Sequence, residues 1–537
     1  MAATWGTRTP VSMTGFLERN AADRPDRVAL WVDGATVTHR EMLERSVALA
    51  NGYHGIGLGA GDVVAAFMAN GFEHAYSWHA CWHLGTGHVP INVNMSGDFL
   101  RHQLVTSGAR AVVADPALVP RIVELGDAVP ALEHLIVRGG AGDAAGLDTG
   151  RFKATTTADL LASDRDRVHG DRAVDQSALN AIIFTGGTTG PSKAAAMSRG
   201  YVMAMMETMA RMWRFDGECS FYQPTPMFHI NAAANCIMLP TLTGGRGNSQ
   251  SAFSASGFWD AARECGATHT SIFGPLYLML WAQPPRDDDA DNPVRISTGY
   301  APAELRDPFQ RRFGIKILNI YALSEALPVT LDDYDDPGPA GTSGRPNPDF
   351  DVRIFDDDDE EVPAGEPGEI VLRPRRPWVM FSGYHNHPQA TVETWRNLWF
   401  HTGDIGRFDA DGYLVFVDRK ADYLRRRGVN ISCWDVEQAI VRHPAVADVA
   451  VIGVPSELGE QEVKACLVLR PGAEFDPVEF LDFCSAAMPH FAVPRFIDVV
   501  DALPRSPVGR VTKQPLRQRG NTAETLDREA MGYVVPK

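Results

Sequence analysis

Thr185-Gly186-Gly187-Thr188-Thr189-Gly190-Pro191-Ser192-Lys193 gathers three glycines, three threonines and a lysine directly after the apolar run Ala181-Ile182-Ile183-Phe184. A buried strand that empties into such a loop offers backbone N–H groups and hydroxyls that can wrap a polyphosphate. Glycine permits positive φ angles and close backbone approach, the hydroxyls donate to phosphate oxygens, and Lys193 adds a mobile point charge. An ordinary Gly/Thr surface turn would use the same letters. The segment is not a Walker loop, because no Ser or Thr follows the lysine after a Gly-x-x-x-x-Gly frame.

Further segments with chemical content follow in order: Pro226-Met227-Phe228-His229, Thr298-Gly299-Tyr300-Ala301-Pro302, Tyr321-Ala322-Leu323-Ser324-Glu325 and His401-Thr402-Gly403-Asp404, then Asp418-Arg419-Lys420-Ala421-Asp422 and Pro504-Arg505-Ser506-Pro507-Val508-Gly509-Arg510. Taken together and in this order, they resemble the motifs of the acyl-adenylate-forming superfamily of acyl-CoA synthetases, peptide-synthetase adenylation domains and luciferases. Phe258-Trp259, Phe228-His229-Ile230-Asn231, Asp418-Arg419 and Asn430-Ile431-Ser432-Cys433 look most like the crotonobetaine/carnitine CoA ligase group.

The resemblance implies an acid–thiol ligase. A carboxylate is a poor electrophile, so such enzymes join it to the α-phosphate of ATP, expel pyrophosphate and let the thiol of coenzyme A attack the acyl-adenylate. Two anions must meet in the first half, a task of positioning and charge stabilisation. By resemblance, Thr185, Gly186, Gly187, Thr188, Thr189, Gly190 and Lys193 hold the β and γ phosphates. Gly299, Tyr300, Ala301 and Pro302 frame adenine, Tyr321 stacks on it beside Ala322, and Ser324 meets the α-phosphate. Asp404 and Arg419 take the ribose. Glu325, with Thr188, binds Mg2+, a hard cation that suits an oxygen ligand beside triphosphate. His229 sits between acyl pocket and thiol tunnel as a gate. Read alone, Tyr321 would as readily be strand packing, and His229 a structural histidine.

Departures from the family pattern sharpen the expectations. Arg510 stands where the family has the lysine that bridges carboxylate and α-phosphate; a planar guanidinium keeps the charge but not the shape, and Lys513, one turn away, is an alternative closing cation. A nucleotide-binding regulator with impaired adenylation stays open on this point. Ala421 stands at the hinge, and a hinge need only absorb a backbone change. Gly428, Val429 and Asn430 resemble the loop that lines the pantetheine tunnel, and Arg425-Arg426-Arg427 either meets CoA phosphates or is a solvated basic helix end. Met227, Phe228, Phe273, Gly274 and Leu323 are candidates for the acyl pocket, with Tyr300. The helix expected over 201–213 is rich in methionine, as core filler or as a soft pocket wall. A soft wall suits a medium or bulky apolar acid (aliphatic, aryl or alicyclic). A carnitine- or betaine-type acid would instead need an aromatic cage, for which Tyr201, Trp213 and Tyr300 are available.

The elements that must position these residues are legible as well. Runs at 63–68, 111–114, 134–137 and 181–184 are short and apolar on both faces, with helical periodicity between them, as buried parallel strands require. This predicts an α/β fold: a large N-terminal domain of parallel-rich sheets and helices over 1–418, a hinge at 419–422, and a small mobile α+β lid over 423–537. The stretch from 519 lacks periodicity and reads as a loosely held tail. Asp356 to Glu361 reads as a solvated hairpin loop rather than a metal site.

Composition sets the outer limits. A chain of 537 residues with 45% hydrophobic content builds two or more domains, and a formal charge of −17 argues against a nucleic-acid partner. Seven scattered cysteines without a Cys-x-x-Cys pair suit a reducing cytosol. No run of about 18 apolar residues occurs and no charged segment with an apolar core opens the chain, so a cytoplasmic protein without an integral membrane segment is expected. Its partners are the small-molecule acid, ATP and CoA; the residues leave a homodimer open.

Overall fold

The computed structural model describes residues 12–166, 175–185, 192–273, 275–356, 358–419, 423–426, 429–456, 460–504, 511 and 513–536. A seven-stranded sheet runs in the order Lys153–Thr156, His134–Val137, Ala111–Ala114, Val63–Phe67, Gly87–Pro90, Leu179–Thr185 and Lys193–Ser198. All neighbours are parallel except the last two, which form an antiparallel hairpin around the phosphate-loop segment. Val63–Phe67 is buried at all five positions, which is why its sequence is apolar on both faces.

A second sheet of nine strands places Lys316–Tyr321, Ile296–Tyr300, His269–Phe273, Ser220–Tyr222, Arg246–Ser249 and Val28–Val32 side by side and parallel. Helix Phe72–Leu84 is buried at every position from His74 onward. A helix covered on all sides must be apolar or self-satisfied all round, yet this one carries His74, His79 and His83. Trp78 stacks on His88 of the adjacent strand at 4.2 Å.

The helix rich in methionine spans Arg199–Met212, and Met203, Met205, Met206 and Met209 are buried in the main core. A third, antiparallel sheet joins Phe350–Phe355, Gly368–Pro374, Trp399–Phe408 and Leu414–Arg419. The first two strands of that sheet flank the acidic run, as the hairpin reading expects.

Beyond Arg419 the chain builds a separate core around Val436, Val451, Leu467 and Phe480. It lies on a four-stranded sheet of Val446–Pro455, Gln461–Leu469, Phe496–Val499 and Leu526–Asp527. Met95 and Phe99 of the N-terminal part pack against this core, and Arg442 pairs with Asp98. Two expectations are corrected here. The C-terminal tail is docked: Leu526–Asp527 pairs with the edge strand, Arg528 donates to the Val493 carbonyl, and Tyr533 donates to Asp482. Arg425 and Arg426 belong to a strand rather than a helix end, and Arg426 is not free for phosphates. Arg426 closes the strand Tyr423–Arg426, lies 2.6 Å from Glu462 with both side chains buried, and donates to the Phe491 carbonyl. All seven cysteines are buried and unbridged.

Candidate active site

Strands His269–Phe273, Ile296–Tyr300 and Lys316–Tyr321 are parallel neighbours, so Phe273, Tyr300 and Tyr321 end on one edge of the sheet. Ligands of open parallel sheets bind outside such carboxyl ends. Gly299 makes the close strand contact possible: its φ is +146°, and a Cβ there would meet the Ile272 carbonyl oxygen at 1.7 Å. Phe273 and Tyr300 are in register and half-buried, Ala301 is buried, and Pro302 precedes helix Ala303–Phe313.

The Tyr321 hydroxyl donates to Asp404 Oδ2 at 2.7 Å, and both side chains are buried. Asp404 sits in the third sheet, opposite Arg419 in the ladder. The His401-to-Asp404 turn is held from below by Glu369, which accepts the Gly403 N–H at 3.1 Å and lies 3.2 Å from His401 Nδ1. Glu369 was not identified from sequence; its only signal is a lone buried carboxylate in an apolar strand.

Glu325 is 8% exposed. The Tyr384 hydroxyl donates to its Oε1 at 2.8 Å, and the Phe381 N–H donates to its carbonyl. Lys193 Nζ stands 4.8 Å from the centre of the Tyr384 ring. A tyrosine ring attracts an ammonium through its π face, so Tyr384 touches both the phosphate-loop lysine and the motif carboxylate. Burial and the neighbouring Glu325 carboxylate push the Tyr384 hydroxyl well above its ordinary value, so it stays a donor. The backbone explains the meeting: Ser382 and His385 N–H groups donate to the Ala196 and Ala194 carbonyls, adding 382–385 as an edge to the strand after the phosphate loop. Tyr384 also escaped the sequence reading, because a Gly-Tyr pair in a loop carries no spacing signal.

Thr185 and Lys193 face each other in the hairpin, with the Thr185 hydroxyl donating to the Lys193 carbonyl at 3.4 Å. The His102 ring lies 2.9 Å from the Ser192 carbonyl. Gly186, Gly187, Thr188, Thr189 and Gly190 lie outside the described residues, as do Gly274, Ala421, Gly428 and Arg510, and so do the side chains of Arg419 and Asn430. Ser324 and Leu323 are half-buried, with the Ser324 carbonyl accepting from the Tyr201 hydroxyl at 3.1 Å.

His229 caps helix Ile230–Ala233, half-buried, with its ring 4.7 Å from that of Phe228. Asn70 fixes this turn, accepting the Met227 N–H at 2.6 Å and donating to the Thr225 and Gln250 carbonyls. Val429 begins the return strand of a hairpin with Arg426. Lys513 Nζ lies 2.7 Å from Glu437 Oε1 within the small C-terminal body, so its charge is engaged there. Among the described residues no cluster of three or more His, Cys, Asp or Glu could hold a metal ion, and no helix is long and apolar enough to cross a membrane.

The bond between Tyr321 and Asp404, Lys193 and Glu325 on either side of Tyr384, and a small second body after the third sheet accompany the motifs of an acyl-adenylate-forming enzyme of the acid–thiol ligase class. Residues 17–385 match the AMP-binding enzyme family and 435–510 match the AMP-binding enzyme C-terminal domain, and the chain belongs to that family. It is 29% identical over 479 residues to a crotonobetaine/carnitine–CoA ligase of Salmonella paratyphi A, covering 87% of this chain and 90% of that protein. Its fold is similar to that of o-succinylbenzoate CoA synthetase from Bacillus subtilis, with TM-score 0.79, 22% identity and coverage of 94% and 98% of the two chains. The amide bond synthetase of Marinactinospora thermotolerans is as similar, with TM-score 0.80, 22% identity and coverage of 95% and 99%.

Proposed function

We propose that this protein adenylates a carboxylic acid larger than acetate, with a medium or bulky and mainly apolar body, and transfers the acyl group to coenzyme A. The observation that carries the reading is the meeting of Tyr321 and Asp404 across two sheets. In that place an adenine can lie on the tyrosine ring while its ribose hydroxyls donate to the carboxylate. Lys193 and the loop 185–190 hold the triphosphate and align the α-phosphorus with the incoming carboxylate oxygen. That oxygen attacks phosphorus as the bond to pyrophosphate breaks, and Arg510 neutralises charge on both partners. The CoA thiolate then adds to the acyl carbonyl carbon and AMP leaves with the bonding electrons, His229 lining the passage between pocket and tunnel.

Glu325 fits a magnesium ligand: one carboxylate oxygen is taken by Tyr384, and the other has no hydrogen-bonding partner among the described residues. Glu325 and Thr188 would hold Mg2+, which would supply positive charge to offset that of the phosphates.

The division at 418, with a hinge at 419–422 around Ala421 and a lid over 423–537 that brings Gly428, Val429 and Asn430 to the pantetheine arm, belongs to the same proposal. The separate cores before and after Arg419 support it. A cytoplasmic location and, for a free-standing ligase, a homodimer belong to the same proposal, and sedimentation would test the latter.

The test is to incubate the protein with ATP, magnesium, CoA and a panel of short, long, aryl, alicyclic and betaine acids, and to measure AMP, pyrophosphate and acyl-CoA by mass. Equal amounts of AMP and one acyl-CoA are expected. ATP binding without any acid-dependent product would overturn the proposal and favour a regulator.

A further inference from the structure

A chain of neutral polar side chains crosses the wall of the candidate acyl pocket. Asn231 Nδ2 donates to Ser271 Oγ at 3.2 Å, Asn235 Nδ2 donates to Asn231 Oδ1 at 3.1 Å and to Gln223 Oε1 at 3.4 Å, and Gln223 Nε2 donates to Thr225 Oγ1 at 2.6 Å. Gln223, Asn235 and Ser271 are essentially inaccessible, whereas Asn231 is half-buried. The chain is half-buried at two points, Asn231 and its Thr225 terminus.

Asn231 lies beside two residues proposed for the acyl end of the site, His229 and Phe273. Ser271 is two residues before Phe273 on the same strand, so the two side chains share a face. Asn231 is two residues after His229, in the first turn of the helix that His229 caps. The same helical run passes through a π-helical turn, Ala234–Met238, which carries Asn235. Such turns are uncommon and concentrate at functional sites.

An apolar acid would be served best by apolar walls, because burying amides costs free energy unless each atom is matched. Here Asn235 Oδ1 is fully buried with no partner, a cost with no packing explanation. Asn231 uses one N–H and one lone pair in the chain and has one N–H to spare, and the Ser271 hydroxyl hydrogen is likewise uncommitted among the described residues. The spare N–H on the half-buried Asn231 side chain suits an acceptor atom.

We propose that Asn231, oriented by its bond to the buried Ser271, is a specificity-determining residue that selects acids bearing a neutral hydrogen-bonding group, such as a hydroxyl, keto or amide oxygen, remote from the carboxylate. The inference rests on the ligase reading. It separates this chain from enzymes of quaternary-ammonium acids. No carboxylate belongs to the polar chain, and of the three cage candidates Tyr201 and Trp213 are 0% and 1% exposed, which leaves Tyr300 alone half-buried, one ring where a cage needs several.

The test uses pairs of acids matched in length, one ending in methyl and the other in hydroxyl, keto or amide, together with a trimethylammonium acid, with AMP and acyl-CoA as readouts. Wild type is expected to favour the polar member by about 10- to 100-fold in kcat/KM, the worth of one or two hydrogen bonds. Asn231→Leu should reverse that ratio. Asn231→Asp, which keeps shape and can accept from the Ser271 hydroxyl instead of donating to it, should lose the neutral polar acid and gain the trimethylammonium acid, and it remains informative if the leucine variant fails to fold. Wild-type preference for the methyl or trimethylammonium member, with AMP and acyl-CoA still formed, would overturn the inference alone. No product from any acid would overturn it together with the ligase reading.

Discussion

The Tyr321 hydroxyl and the Asp404 carboxylate, from different sheets, are joined by a 2.7 Å hydrogen bond. The bond fixes the ring that would stack on adenine relative to the carboxylate that would hold ribose. Asp404→Ala removes charge-assisted bonds to both ribose hydroxyls and should raise the KM for ATP about 10- to 100-fold. Tyr321→Phe keeps the stacking surface and should cost no more than about tenfold. Pyrophosphate exchange at varied ATP measures both. Equal losses would mean that Asp404 acts only through the tyrosine.

Tyr384→Phe removes the donor to Glu325 but leaves the ring beneath Lys193. The freed carboxylate is no longer oriented, so the variant should need more Mg2+ for half-maximal adenylation and show a lower kcat. Tyr384→Leu, which also loses the cation–π contact, should further raise the KM for ATP. A magnesium titration of the three proteins separates these effects, and an unchanged Mg2+ requirement in Tyr384→Phe would show that the hydroxyl is dispensable.

Arg510→Ala should slow pyrophosphate release strongly while leaving thermal stability near that of wild type. Lys513→Ala should do the opposite, because Lys513 is committed to Glu437, whose carboxylate also accepts the Val451 N–H. If both substitutions left the adenylating half-reaction untouched, a different cation would have to close the site.

Acid should unfold this protein unusually early. Burial holds His74 and His79 down at about 3 and His39 and His269 at about 4, against an ordinary 6.5, and His88 is lowered too. These rings are neutral when folded but take up protons when unfolded, so the unfolded state binds more protons below pH 6.5. Stability is therefore full above pH 6.5 and falls as pH drops toward 4, by about 1.4 kcal/mol per pH unit for each fully responding ring. Urea unfolding at pH 7.5 and 5 should show the loss, and His88→Phe should reduce the slope. A flat profile would mean that the rings take up protons within the fold as readily as in the unfolded chain.

Much of this was legible in the residues. The short runs at 63–68, 111–114 and 134–137 had to be parallel strands because nothing polar interrupts them, and Tyr321, Asp404, Glu325 and Lys193 stand in segments whose spacing has meaning. Tyr384, Glu369 and Asn70 did not stand out, because each acts by reaching a motif residue far away in sequence, and no local pattern records such a contact. The same blindness explains the tail and Arg426. Docking of 526–533 depends on one edge strand and a few polar contacts, and Arg426 is set by Glu462 and the Phe491 carbonyl across the small sheet. Periodicity shows neither.

The cysteines carry a practical consequence. All seven thiols are buried, and burial pushes those of Cys81 and Cys265 up to about 12 and that of Cys466 to about 11. The thiolate is the reactive form, so the native surface should be silent to maleimide dyes. One cysteine introduced on each side of residues 419–422 would then give a clean fluorophore pair, and energy transfer between the dyes could follow lid rotation through a single turnover in an otherwise unmodified enzyme.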